Sequence, residues 1–175
     1  MWFKYPIIIL TLFVAALLQI SFLPYFNVMG YFPNMIFIIF FTLIFFEAKK
    51  EYDLGFVVSL AAGFFLDIIL PSYFGISIIS LLIVYSFKKI AMHFLKENPD
   101  EFSVFYFIPL FLICFISYNS LLYLSSLLLN FQFNFIFGFN ILIVTIYNLA
   151  IACAVFYIYK RFILKDNNKN QLKLL

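Results

Sequence analysis

Long uncharged apolar runs alternate with short connections along this chain, and that alternation constrains its fold more than any other feature. Of the 175 residues, 66% are hydrophobic and 11% are charged, and the mean hydropathy is +1.10. This composition excludes a soluble globular domain, a disordered chain and a disulfide scaffold. Because a bilayer core of about 30 Å needs about 20 apolar residues per helix, the chain has room for about six spans and no second folded domain.

The apolar runs predict an all-α, polytopic membrane protein that forms a single transmembrane domain over residues 1–175. Membrane β-strands would alternate apolar and polar residues in segments of about ten, whereas these runs are apolar on all sides. The predicted helices cover residues 6–26, 33–48, 54–70, 73–94, 104–129 and 135–160, and a basic cytoplasmic tail covers residues 161–175.

The positions of the cations predict the orientation in the membrane. All 11 Lys and Arg residues lie before the first predicted helix, in the second connection, in the fourth connection or the helix end next to it, or at and after the end of the sixth helix. The first, third and fifth connections contain none, so the positive-inside rule places both termini in the cytoplasm. This regularity also supports the number six, because a missed helix would move the later cations to the other side of the membrane.

No catalytic or metal-binding constellation is visible in the sequence. The single histidine, His93, has no other ligand type at metal-binding spacing. Cys114 and Cys153 are solitary cysteines inside predicted helices, where a small polarizable hydrophobe is the usual role. No serine lies in a nucleophile motif. We therefore expect a protein that is not an enzyme and that uses no metal and no cofactor.

Asp67 is the one acidic residue that lies apart from the cytoplasmic lysines. At 1.5 Å per residue it lies about 20 Å along the third helix, near the extracytoplasmic boundary. A carboxylate at that depth must be paired, hydrogen-bonded or protonated. In one interpretation it accepts hydrogen bonds from the start of the fourth helix and locks the hairpin; in the other it faces a cavity or a partner protein. The sequence leaves both open.

Other polar and small side chains recur at helical spacing. A stripe at a spacing of four leads to the carboxylate: Gly55, Ser59, Gly63 and Asp67. Small residues on one face let a neighbouring helix approach closely, and that neighbour belongs either to this chain or to a partner. Gln19, Asn119 and Asn148 either form hydrogen bonds between helices or line a pocket.

Several motifs occur in a fixed order along the first half of the chain. They are Gln19 followed by Leu23-Pro24, Pro33-Asn34 before the second helix, Ala62-Gly63-Phe64-Phe65-Leu66-Asp67, and Gly75 after a short turn. This order resembles the rod shape-determining protein MreD family. In the second half, Asn148 is similar to an asparagine of the last span in that family. Asn34 stands where the family often has an acidic residue.

The resemblance implies a scaffold in the bacterial cytoplasmic (inner) membrane that helps the machinery of peptidoglycan synthesis regulate cell shape. It implies the single-span protein MreC as the main partner, with MreB and the RodA–penicillin-binding synthase pair nearby. Membrane lipids are expected partners and nucleic acid is not, while a homo-oligomer stays open. The candidate partner or pocket residues are Gln19, Asn34, Gly55, Ser59, Gly63, Asp67, Gly75, Asn119 and Asn148.

The same family is similar in fold to the substrate-binding S components of energy-coupling-factor vitamin transporters, which implies an S-component-like bundle and supplies an alternative function. The pocket of a transporter subunit would open outward near five residues: Gln19, Asn34, Asp67, Asn119 and Asn148. S components usually carry Ala-x-x-x-Ala in the first helix, whereas here Gln19 lies four residues after Ala15. We therefore expect the scaffold rather than the transporter.

Overall fold

A computed structural model describes residues 4–47, 52–70, 73–94, 104–129 and 139–171. Over these ranges the fold is all-helical, with no strand, which confirms the all-α part of the prediction. The helices are α1 (Lys4–Ser21), α2 (Met35–Phe45), α3 (Tyr52–Ile69), α4 (Ile76–Phe94), α5 (Val104–Leu129) and α6 (Phe139–Gln171). A short 3-10 turn, Leu23–Phe26, follows α1.

The helix bounds differ from the predicted ones where local chemistry intervenes. Helix α1 ends at Ser21 rather than 26, because Pro24 has no backbone N–H and sits at the start of the 3-10 turn. Helix α2 begins only after Asn34, whose side chain caps it by accepting a hydrogen bond from Phe37 N. Helix α5 has the predicted bounds.

Helix α6 is longer than predicted, because it continues through much of the predicted tail. No Gly or Pro lies between Phe139 and Gln171, and the residues after position 160 include several good helix formers. The predicted start at residue 135 and the last four residues of the tail lie outside the described residues.

Two helices in the described part of the chain are long and apolar enough to cross a membrane, fewer than the six predicted. They are α5 and residues Ile141–Arg161 of α6. The other four helices have 18, 11, 18 and 19 residues. Helix α2 is the shortest, at about 16 Å.

Helix α2 lies at the centre of the fold and packs against α1, α3 and α6. Nine of its 11 residues are buried. Three of its phenylalanines pack against phenylalanines of α5: Phe37 and Phe41 contact Phe111, and Phe45 contacts Phe107, with ring centroids 5.1 to 5.8 Å apart. Since α2 contains no charge and no glycine, this central helix is positioned by apolar packing along its length and by polar contacts at its two ends.

Candidate functional site

Asp67 joins the last turn of α3 to the start of α4. Its Oδ2 accepts a hydrogen bond from Gly75 N at 2.7 Å, and its Oδ1 accepts one from Ser77 N at 2.8 Å. Only 6% of the residue is exposed. Gly75 has a φ of +103°, a backbone conformation that favours glycine and turns the chain into α4. The hairpin interpretation predicts these hydrogen bonds. Contact of Asp67 with a partner protein stays a prediction.

The start of α2 is held by side chains from two distant helices. Gln19 Oε1 on α1 accepts a hydrogen bond from Ile36 N at 3.2 Å. Asn148 Oδ1 on α6 accepts one from Asn34 N at 2.8 Å, while its Nδ2 donates to Val144 O. Helix N-termini leave backbone N–H groups without helical partners, and these amides supply the missing acceptors. Three of the sequence-predicted residues therefore meet at one helix end.

Two buried hydroxyls lie between the start of α2 and the start of α4. Ser77 Oγ and Tyr118 OH are buried and make no hydrogen bond of good geometry within the described residues. The phenol lies beside Ser77 and Asn34. We name this whole set the asparagine layer: Gln19, Asn34, Asp67, Ser77, Tyr118 and Asn148.

On α5 the residue that lies with these polar groups is Tyr118, which the sequence analysis did not single out. Asn119 is half-buried and donates its Nδ2 to Phe115 O of its own helix at 2.8 Å, so it does not join the asparagine layer. Tyr118 joins it instead. The helical spacing of apolar residues could have identified Tyr118, because Phe111, Cys114 and Tyr118 share the buried face of α5.

The stripe of small residues faces α4. A methyl group on Gly63 would lie 2.5 Å from Ile78 Cα, and one on Gly55 would overlap the Tyr85 ring. Ser59 is buried and donates to Gly55 O at 2.7 Å. The neighbour that the stripe admits is therefore a helix of this chain.

A second polar cluster lies at the opposite end of α2 and was missed by sequence reasoning. Glu47 Oε1 accepts a hydrogen bond from Gly55 N at 2.7 Å and one from Tyr85 OH at 3.4 Å. Its Oε2 lies 3.8 Å from Lys88 Nζ, and both side chains are buried. We name this set the glutamate layer: Glu47, Gly55, Tyr85 and Lys88. Sequence reasoning placed Glu47 beside the cytoplasmic lysines and gave it no separate role.

Both layers hold helix ends by hydrogen bonds. Glu47 and Asp67 both accept backbone N–H donors at the start of the next helix. Over the described ranges, no three His, Cys, Asp or Glu side chains come together in a way that could bind a metal ion. No protein-family model matches this chain, and no curated protein or solved structure matches it either.

Proposed function

We propose that the chain is a multi-pass protein of the bacterial cytoplasmic membrane, with six membrane-spanning helices and both termini in the cytoplasm. The length of α5 and α6 supports a membrane location. Large apolar side chains also point outward from several helices, among them Leu10, Ile68, Ile79, Leu128 and Ile146. Soluble monomers rarely expose large contiguous apolar patches, and lipid tails would cover these side chains.

The distribution of cations supports the proposed orientation. Lys88 and Lys89 near the end of α4, and Lys160 and Arg161 on α6, lie toward the glutamate layer. The described residues beyond the asparagine layer carry no Lys or Arg. The positive-inside rule then assigns the glutamate layer to the cytoplasmic side.

We further propose that the protein is a non-enzymatic scaffold of the cell-wall elongation machinery, with an MreC-like single-span protein as its main partner. The RodA–penicillin-binding synthase pair and MreB would lie nearby. The observation that carries this proposal is the meeting of Gln19, Asn34, Asp67, Gly75 and Asn148, the residues on which the family resemblance rests, at two adjacent helix starts. A rigid frame of this kind suits a scaffold.

The partner helix is expected on an outward face of the bundle. Gly55 and Gly63 are occupied by α4, so close packing against the stripe is already used within the chain. Association in lipid depends on van der Waals packing and hydrogen bonds between helices. The outward faces, which carry mainly apolar side chains, are the surfaces left for such packing.

The transporter alternative is disfavoured by the way the candidate pocket residues use their polar atoms. Gln19, Asn148 and Asp67 accept hydrogen bonds from backbone N–H groups, and Asn119 donates to its own helix. A solute would have to displace these bonds to be recognised. The scaffold proposal requires no such displacement.

The test is purification from the native membrane in mild detergent, followed by mass spectrometry of the proteins that co-purify. We expect a single-span wall-elongation protein with the wild type and with Asn119→Ala, whose side chain bonds its own helix within the described residues. We expect its loss with Asp67→Leu, which removes both acceptors at the start of α4. Recovery of an ATPase-linked coupling subunit, or of a stoichiometric vitamin, would favour the transporter instead.

A further inference from the structure

The two polar layers are closer together than the two faces of a bilayer core. Gly55 and Asp67 lie about 18 Å apart along α3, and Ser77 and Lys88 about 17 Å apart along α4, at 1.5 Å per residue. The hydrocarbon core of a bilayer is about 30 Å thick. In the membrane fold proposed above, on which this inference rests, the short helices therefore cover only part of that thickness.

Helices α5 and α6 continue well past the asparagine layer. From Tyr118 to Leu129, α5 rises about 16 Å further. That part of α5 exposes uncharged leucines, including Leu124, Leu127 and Leu128. Because such side chains belong in lipid, the hydrocarbon extends beyond the level at which α3 ends and α4 begins.

Residues 22–32 occupy the same side of the asparagine layer, and we name them the aromatic cap. The cap follows the end of α1 and is tied to α6 by a hydrogen bond from Tyr147 OH to Phe26 O at 2.9 Å. It contains no charged residue. Most of its side chains are exposed, among them Tyr25 at 84% and Met29 at 73%. If these side chains faced water, they would form an unusual apolar patch.

The backbone of the aromatic cap satisfies several of its own polar groups. Asn27 Nδ2 donates to Pro24 O at 2.8 Å, and Asn27 Oδ1 accepts from Gly30 N at 3.3 Å. Val28 and Tyr31 exchange both of their backbone hydrogen bonds, at 2.8 and 3.0 Å. Non-helical backbone near hydrocarbon is tolerated only where its polar groups are satisfied within the protein. A loop in bulk water has no such requirement.

We propose that the aromatic cap is a lipid-binding surface, inserted at the boundary between headgroups and acyl chains of the leaflet on the asparagine-layer side. Its ligand is the phospholipid of that leaflet. The exposed aromatic and methionine side chains contact acyl chains, and the self-bonded backbone lies just above them. The cap thereby extends the apolar surface of the protein beyond the ends of α2, α3 and α4, and the thickness of the leaflet adjusts locally to match this surface.

The test uses nitroxide spin labels on the full chain in nanodiscs of phosphatidylethanolamine and phosphatidylglycerol, in a Cys114→Ala, Cys153→Ala background. Labels are placed at two cap positions by Tyr25→Cys or Met29→Cys. A label at Val14→Cys, on the exposed face of α1, reports the lipid environment, and one at Asn168→Cys reports the polar tail. Collision rates with oxygen, which prefers lipid, are compared with those of a polar nickel chelate, which prefers water.

Both cap labels should have an oxygen-to-nickel ratio several-fold above that of Asn168→Cys and below that of the deeper Val14→Cys label, because a polar chelate is excluded from hydrocarbon. Cap ratios equal to that of Asn168→Cys, with Val14→Cys still in lipid, overturn the cap proposal alone. Such a result points to a water-facing surface for a protein partner. A water-like ratio at Val14→Cys overturns the membrane fold itself.

Discussion

Replacing Gly63 with alanine tests the close approach of α3 and α4. The added methyl group would lie 2.5 Å from Ile78 Cα and 2.8 Å from Ile78 N, whereas ordinary contacts begin near 3.4 Å. The obstacle is backbone, so the helices must separate by about 1 Å, and overpacking of this kind costs about 1 to 3 kcal/mol. Because alanine gains about 1 kcal/mol in helix propensity, we expect a net loss of about 1 kcal/mol in the free energy of unfolding.

The measurement is reversible unfolding in mixed micelles, followed by circular dichroism. Ala150→Gly, at an exposed position of α6, is the matched control, because it measures the propensity term in the opposite direction without a steric change. Gly63→Leu should prevent folding altogether. If Gly63→Ala is as stable as the wild type or more stable, the two helices are further apart than described here and the reasoning fails.

Three other predictions concern the polar layers and use the same unfolding assay. Asp67→Asn keeps one of two acceptors and should cost about 1 to 2 kcal/mol, whereas Asp67→Leu leaves two N–H donors unsatisfied and should cost more; equal losses would point to the charge itself. Glu47→Gln and Lys88→Met should each destabilise the protein, and the double variant should lose less than the sum; simple additivity would mean that the ion pair is not formed. Asn148→Ala should cost about 1 to 3 kcal/mol by leaving Asn34 N without its acceptor, and a neutral result would contradict that contact.

Much of the fold was predictable because long apolar runs leave few alternatives. The bounds of α5 follow from the apolar stretch between Val104 and Leu129, which contains no charge. The ends of α1 and α2 were less accessible. The helix ends there depend on the backbone chemistry of Pro24 and on the capping side chain of Asn34. Apolar residues continue across both positions, so hydropathy alone does not mark where α1 ends and α2 begins.

The candidate site was predictable where a polar residue stands alone in an apolar helix. Gln19, Asp67 and Asn148 were identified in this way, and all three belong to the asparagine layer. Tyr118 was missed because a tyrosine in an apolar helix can equally belong to an aromatic belt at the membrane interface. Glu47 was missed because sequence reasoning grouped it with the nearby cytoplasmic lysines, although its side chain is buried.

The two carboxylates are stabilised in the same way at opposite ends of the α3–α4 hairpin. Glu47 accepts from Gly55 N and Asp67 accepts from Gly75 N, in each case across a separation of eight residues. An acidic residue near the end of one helix, followed eight residues later by glycine near the start of the next, places negative charge against the positive end of a helix dipole. Glycine allows the close approach, because a side chain at Gly55 would collide with Tyr85. Each buried carboxylate thus receives hydrogen bonds without needing a solvent shell, which explains how both ends of the α3–α4 hairpin can hold an acidic side chain inside an apolar bundle.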